Sequence, residues 1–303
     1  MDYYTVIKKA IDFIEDNLYE DITIQKVSDE VGFSVPHFYR IFHGVVGESF
    51  KSYMRKRRVS EGLILLRSDN MNIGRIAFEL GFESHEVFIR SFKKIYEVSP
   101  KESRSIISLP LYERIDVMKK KANFESDVIR LETQIILRKS FKIMGKSVQL
   151  NQAEQVENNL IDQFLQRFED ERQKTPDLKN ESKVISMYEY DPECIQKDDE
   201  EIDYLYTVGV ELNDSAKCPE GYDEKIIPES KYAVFVYDYK DKTLNGEDVT
   251  KLLYEGKPIE SVYDYIDGVW ILNSGFTLSD KPDFEIRDAE NKGIIEYYIS
   301  IED

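Results

Sequence analysis

Cysteine, tryptophan and histidine are scarce in this chain of 303 residues, at two, one and three. Cys194 and Cys218 are too few to staple a domain of this size and lack metal-ligand spacing. Both thiols therefore read as free, in a reducing cytoplasm. Histidine stops at His85, after His37 and His43, so residues 122–303 lack the commonest general base and metal ligand. No run of 18 apolar residues occurs, and the opening MDYYTVIKKAIDFIEDNL mixes charges throughout. Neither a membrane span nor a signal peptide is expected. Positive charge is short as well: 41 Lys and Arg against 59 Asp and Glu give a net charge of −18, which taken whole argues against nucleic acid.

The distribution reverses that inference. Residues 1–121 hold 20 Lys and Arg against 18 Asp and Glu, whereas the remainder holds 21 against 41. A near-neutral N-terminal region with a local basic run at Lys51, Arg55, Lys56, Arg57 and Arg58 can face phosphate while the acidic region stays away. The length allows two domains, each able to bury a core.

Within the N-terminal region a single pattern occurs twice. Ile73, Ile76, Ala77 and Leu80 have the spacing of a buried helix face; Gly81 suits a left-handed turn, and Ser84 can cap a helix burying Phe88 and Phe92. Upstream, Thr23 caps Ile24, Val27, Ser28 and Val31; Gly32 turns; and Ser34 caps a helix burying Phe38, Ile41 and Phe42. Before both copies, Tyr4–Asn17 reads as an amphipathic helix with Val6, Ala10, Phe13 and Ile14 inward. Between them, Glu48–Leu66 as a helix would span roughly 28 Å, against about 34 Å for one turn of DNA. Such a spacer can set two reading helices into successive major-groove faces. Two copies are also too few for a solenoid.

These residues resemble the DNA-binding domain of AraC/XylS-type transcription regulators, nearest to the MarA, SoxS and Rob branch. The resemblance rests on VSDEVGFSVPHFYRIF and IAFELGFESHEVFIRSFKKIYEVSPKESR. It implies base-edge contacts from Pro36, His37, Tyr39 and Arg40 in the first copy and from His85, Glu86, Ile89 and Arg90 in the second, with Lys51, Arg55, Lys93 and Lys94 on phosphates. One departure stands out. Glu97 occupies a position that is usually glycine, so a different turn is expected after the second reading helix.

Residues 108–128 read as a linker. Beyond it, Ile129–Leu150 is extended, Glu154–Glu171 is an amphipathic helix with Val156, Leu160, Phe164 and Phe168 inward, and Lys183–Tyr190 and Tyr204–Leu212 are strands. The order then repeats, with a strand at Tyr232–Tyr239, one or two helices in Asn245–Ile266, and strands at Asp283–Asp288 and Ile294–Ile301. The fold class is therefore multidomain: an all-α tandem helix-turn-helix domain (1–107), the linker (108–128), and an α+β domain of duplicated β-α-β-β units (129–303).

The strands of the second domain are rich in tyrosine, including Tyr206 and Tyr237. Rings beside a carboxylate suit an organic cation, and a buried carboxylate calls for a positive complement. KIMGKSV, SKYAVFVY, VWILNSG, PDFEIR and IEYYISI resemble a GyrI-like (SHS2-duplicated) effector-binding domain. That resemblance implies Glu285, Glu296 and Tyr298 as ligand-facing residues and Trp270 as a cavity wall. The whole reads as a cytoplasmic, sequence-specific transcription regulator, activating rather than repressing, responsive to a small cationic or amphiphilic ligand. Its implied partners are double-stranded DNA, the effector and RNA polymerase, with no membrane, cofactor or metal, as a monomer or a dimer. No catalytic residue is expected. The alternatives are a hydrolase in the second domain, or a module that recruits protein.

Overall fold

The computed structural model describes residues 2–68, 71–124 (122–124 as backbone), 129–151, 158–175, 182–190, 203–212, 217–254, 257–288 and 293–303. Contacts divide the chain into one unit at Tyr3–Asn123 and another made of Met1–Asp2 and Phe124–Asp303.

In the first unit local signals place the helices. α1 (Tyr3–Asp16) buries Tyr3, Tyr4, Ile7, Ala10, Ile11 and Ile14. Val6 and Phe13, expected inward, stay half-buried because the stripe is turned to bring Tyr3 against Phe33, at 6.0 Å between ring centres. α2 (Ile24–Val31) is capped by the Thr23 hydroxyl, which accepts from the Lys26 amide, and ends at Gly32 with φ 77°. α3 (Val35–Val46) follows, then the spacer α4 (Phe50–Ser68), two residues downstream of its expected start. α5 (Ile73–Glu79) and α6 (His85–Tyr96) repeat the design, with Gly81 at φ 71° and Ser84 accepting from the Val87 amide. The turns agree bond for bond. Phe33 N–H donates to Ser28 C=O at 2.9 Å, and Phe82 N–H donates to Ala77 C=O at 3.0 Å.

α4 serves both copies. Near its start, Phe50 and Tyr53 meet the Phe42 ring of α3 at 6.3 and 6.1 Å. Further along, Val59, Leu63 and Leu66 share a core with Phe88 and Phe92 of α6. The Ser-Pro motif then opens α7 (Pro100–Ser103), where Ser99 and Glu102 form a capping box. Arg104 donates to the Leu66 and Met71 carbonyls at 3.2 and 2.7 Å, tying off the end of α4.

Glu97 does not produce a different turn. It takes the left-handed conformation itself, with φ 60°, and donates its amide to Lys93 C=O. A residue with a Cβ pays about 1 kcal/mol there that glycine does not. Glu97→Gly is therefore expected to stabilise the chain by about 1 kcal/mol, read as a raised denaturation midpoint; a lowered midpoint would show that the exposed Glu97 side chain outweighs the backbone term.

The segment read as a linker is laid along the first unit. Tyr112 N–H donates to Ser60 Oγ at 2.9 Å, Arg57 donates to Tyr112 C=O at 2.8 Å, and Leu109 and Tyr112 pack on the α4–α6 core. α8 (Val117–Phe124) then places Lys120 Nζ 3.2 and 2.8 Å from the Val45 and Val46 carbonyls at the end of α3.

The second unit opens with β1 (Gln134–Arg138) and β2 (Phe141–Asn151), followed by α9 (Leu160–Arg172), β3 (Lys183–Tyr190), β4 (Asp203–Glu211), β5 (Asp223–Ile227) and β6 (Ser230–Asp238). Short elements come next: β7 (Thr243–Leu244), β8 (Glu247–Asp248), β9 (Leu253–Tyr254) and β10 (Lys257–Pro258). α10 (Val262–Tyr265) continues through a π-turn at Ile266–Trp270 into α11 (Ile271–Ser274), before β11 (Thr277–Leu278), β12 (Phe284–Asp288) and β13 (Ile294–Glu302). The main sheet runs β5-β2-β4-β3-β12-β13-β6-β7-β8. The repeats β2-α9-β3-β4 and β6-α10/α11-β12-β13 thus meet at an antiparallel β3–β12 seam, with strand order mirrored across it.

The helix expected within Asn245–Ile266 is present but confined to the end of that stretch, with a 3-10 turn at Val249–Lys251 before it. The described residues of 245–261 form no α-helix: the sheet edge claims Asn245, which accepts from Val236 N–H at 2.7 Å and donates to Glu132 C=O at 2.9 Å, and Gly246 and Pro258 interrupt helical continuity. The helical stretch begins at Val262 instead. On α9, Phe168 is buried and Leu160 and Phe164 pack against the same core, whereas Val156 lies outside the described residues.

Candidate functional sites

The outer faces of α3 and α6 carry the residues expected to read bases. His85, Glu86 and Arg90 are exposed on α6 with Ile89 half-buried between them; on α3, Pro36, His37, Tyr39 and Arg40 are half-buried. Ser84 starts α6 so that His85 and Glu86 fall in its first turn, with His85 Nδ1 3.0 Å from Glu86 Oε1. Helix-terminal backbone N–H and the Ser84 hydroxyl hold the Glu86 carboxyl below its usual range, so it stays ionised as an acceptor. His37 is less available. Its Nε2 lies 3.0 Å from Tyr3 Oη, and its ring stacks on Phe33 at 4.2 Å and 10°.

The basic run does not act as one patch. Lys51 is exposed and Arg55 half-buried, and Lys56 pairs with Glu48 at 2.8 Å. Arg57 points into the protein, where Nε and Nη2 each lie 2.9 Å from a different Glu15 oxygen and Nη2 lies 3.1 Å from Glu61. Arg58 caps main-chain carbonyls, donating to Leu18 at 2.6 Å, Glu20 at 2.6 Å and Gly81 at 2.9 Å. These two arginines hold the frame, and the sequence reading of all five as phosphate-facing is corrected. Lys93 and Lys94 are exposed at the end of α6.

In the second unit strand register sorts the candidates. Glu285 lies opposite Ser186 and Tyr297, Ile286 opposite Glu296, and Phe284 opposite Tyr298. Glu285 and Tyr297 therefore face one side of the sheet, and Glu296 and Tyr298 face the other. On that other side, Tyr298 donates to Glu296 at 2.8 Å and stacks on Phe284, while Arg138 sits 3.9 Å above the Phe141 ring. Tyr206 and Tyr237 share the Glu285 side by register, and Trp270 reaches it through Phe235, at 5.1 Å and 89° between rings.

Around Glu285 the structure gathers residues that the sequence did not single out. Glu285 is 3% exposed. Arg287 Nη2 lies 2.8 Å from Glu285 Oε2, Ser186 Oγ donates to the same oxygen at 3.5 Å, and Tyr263 donates to Oε1 at 3.4 Å. Arg287 Nη1 also donates to Ser186 Oγ at 2.7 Å. The positive complement expected for a buried Glu285 is thus supplied by the chain itself. Residues 285 and 287 are two apart on a strand and share a face, a signal readable in PDFEIR. Burial raises the Glu285 carboxyl, and Arg287 opposes the shift. Tyr188 and Tyr297 close the cluster, with Tyr188 5.2 Å from the Tyr206 ring and Tyr297 5.6 Å from the Tyr263 ring. Desolvation pushes the phenols of Tyr188, Tyr206, Tyr263 and Tyr297 up, so all stay protonated. Cys218 is exposed and free, and Cys194 lies outside the described residues. No helix among the described residues is long and apolar enough to cross a membrane, and no group of three or more metal-ligating side chains occurs among them.

Residues 131–302 match the family described as "GyrI-like small molecule binding domain", and residues 27–106 match "Helix-turn-helix domain". The first match covers more than half of the chain, which therefore belongs to the GyrI-like family, here with an AraC-type helix-turn-helix unit ahead of it. Among curated relatives, the uncharacterized HTH-type transcriptional regulator YbfP of Bacillus subtilis (strain 168) is 37% identical over 107 residues, covering 35% of this chain and 36% of YbfP. The multiple antibiotic resistance protein MarA of Escherichia coli (strain K12) is 36% identical over 98 residues, 32% of this chain and 77% of MarA. The chain thus spans about a third of one relative and three quarters of the other. A solved AraC-type regulator from Chromobacterium violaceum is 23% identical, with a TM-score of 0.33 over 35% of this chain and 95% of its own.

Proposed function

We propose that this protein is a sequence-specific DNA-binding transcription regulator whose second unit binds a small-molecule effector. The carrying observation is the duplicated turn, Ser28–Phe33 and Ala77–Phe82, which presents α3 and α6 from one helical spacer. Arg40 and Arg90 occupy equivalent places in the two copies, and each can bond guanine O6 and N7 bidentately. Lys51, Arg55, Lys93 and Lys94 meet phosphates and fix the register. The effector lies on the helix-covered side of the sheet, against Tyr206, Tyr237, Trp270 and the Glu285 cluster. Activation is the sign that the family resemblance implies, and a promoter fusion reads it directly.

In a binding titration on the cognate site, Arg40→Ala and Arg90→Ala are each expected to cost about 1–3 kcal/mol and to relax preference at one base pair. Unchanged affinity and unchanged preference in both variants would remove α3 and α6 as reading helices. Lys93→Ala should weaken all sequences alike and reduce the salt slope by about one.

A further inference from the structure

Two donors in the Glu285 cluster have hydrogen-bonding capacity to spare. The Tyr206 hydroxyl is buried, with the Ser186 hydroxyl as a polar neighbour but no described partner at hydrogen-bond distance. Arg287 spends Nη1 on Ser186 and Nη2 on Glu285, which leaves most of its five N–H groups unspent. Glu285 is the reverse case. One of its oxygens accepts from Tyr263 and the other from Arg287 and Ser186, and its side chain is 4% exposed against 25% for Arg287. A solute arriving from water therefore meets the guanidinium first. The carboxylate beneath it is already neutralised. A buried polar group left without a partner in a native structure calls for an explanation, and the Tyr206 hydroxyl, which senses the Arg287 charge, points to a missing acceptor there.

We propose that the effector bound at this cluster is an aromatic molecule bearing a carboxylate, which takes N–H donors from Arg287 and the O–H donor of Tyr206 while its rings lie among Tyr188, Tyr263 and Tyr297. This inference rests on the reading of the second unit as a small-molecule site and narrows its ligand class. Arg287 is the specificity determinant, since an arginine held by a buried carboxylate presents a fixed fork to a second one. Glu285 is a positioning residue that holds the guanidinium over the tyrosine cluster. An organic cation is disfavoured while Arg287 is in place, because it would have to displace a tethered charge from the carboxylate that holds it.

The test uses the full chain and three matched probes, 2-naphthoate, 2-naphthamide and 2-naphthylmethylammonium, titrated by calorimetry. Naphthoate is expected to bind about tenfold or more tightly than the ammonium probe. Arg287→Gln should weaken naphthoate about tenfold, and Tyr206→Phe, which keeps the ring, should weaken it several-fold, on the order of the value of one hydrogen bond to a charged group. Because Arg287→Gln strands the Glu285 carboxylate, Glu285→Gln/Arg287→Gln provides a neutral pair of similar shape, and it should show the same loss; Arg287→Lys should recover some of the affinity. Tighter binding of the ammonium or amide probe by the native chain would overturn the proposal and leave the cluster as a ligand site of another class. Unchanged naphthoate affinity in the double variant would do the same. If none of the three probes binds, the proposal falls together with the reading of this cluster as the ligand site.

Discussion

Arg57→Ala is expected to destabilise the first unit by about 3–5 kcal/mol, the cost of stranding one partner of a buried pair. Glu15 and Arg57 side chains are each 10% exposed, and their contact is bidentate. Removing the guanidinium leaves the Glu15 carboxylate with the Tyr53 hydroxyl, 2.5 Å away, and little else. It also strips the Tyr112 carbonyl and Glu61 of a donor, loosening the segment laid across α4. At roughly 4–8 °C per kcal/mol for a unit of this size, the helical melting transition should fall by more than about 10 °C. Replacing both partners, as in Glu15→Gln/Arg57→Met, should recover much of the loss, because similar-sized neutral side chains avoid the desolvation of charge. A loss below about 1 kcal/mol would rank the bridge with ordinary surface pairs. The same variant separates frame from contact. Under conditions where Arg57→Ala remains folded, its salt slope on DNA should match that of the native chain, since Arg57 meets no phosphate.

Gly81→Ala should cost about 3 kcal/mol or more, and Gly32→Ala only about 1 kcal/mol, although the two glycines are equivalent in the repeat. Both are left-handed, with φ 71° and 77°, so both lose the freedom that glycine alone has there. What differs is the surroundings. A Cβ on Gly32 would meet nothing within 4 Å, whereas one on Gly81 would lie 2.5 Å from the Tyr19 carbonyl oxygen and 3.3 Å from Cζ of Arg58. The Tyr19 carbonyl cannot retreat easily, because Arg58 holds the carbonyls on either side of it, those of Leu18 and Glu20. Chemical denaturation of the two variants decides the matter. Equal losses would mean that the loop after α1 yields at little cost.

Much of the first unit is legible in the sequence because its signals are local. Thr23, Ser84 and Ser99 cap helices within three residues of themselves, and Gly32 and Gly81 mark the turns. The buried positions Phe38, Phe42, Phe88 and Phe92 follow from helical period alone. Strands β3, β4, β12 and β13 are similarly readable from alternation. The stretch after β7 is readable only in part: a helix does occur within Asn245–Ile266, at Val262–Tyr265, but only the sheet edge and the Glu132 carbonyl decide where Asn245 goes.

The candidate sites divide in the same way. That α3 and α6 carry polar outer faces was determined by the sequence, since periodicity names the buried stripe and leaves the rest outside. Which of five neighbouring basic residues stay outside was not, because α1, the loop after it and the segment near Tyr112 approach α4 from distant regions of the chain and claim Arg57 and Arg58. Likewise the sequence supplied Glu285, Glu296 and the tyrosines, but the face that each occupies depends on register between strands far apart in sequence. Only the tertiary structure set Glu285 against Ser186 and Tyr297, turned Glu296 away, and closed Arg287 and Tyr263 over the carboxylate, because side-chain alternation is local whereas the pairing that gives it a common origin is not.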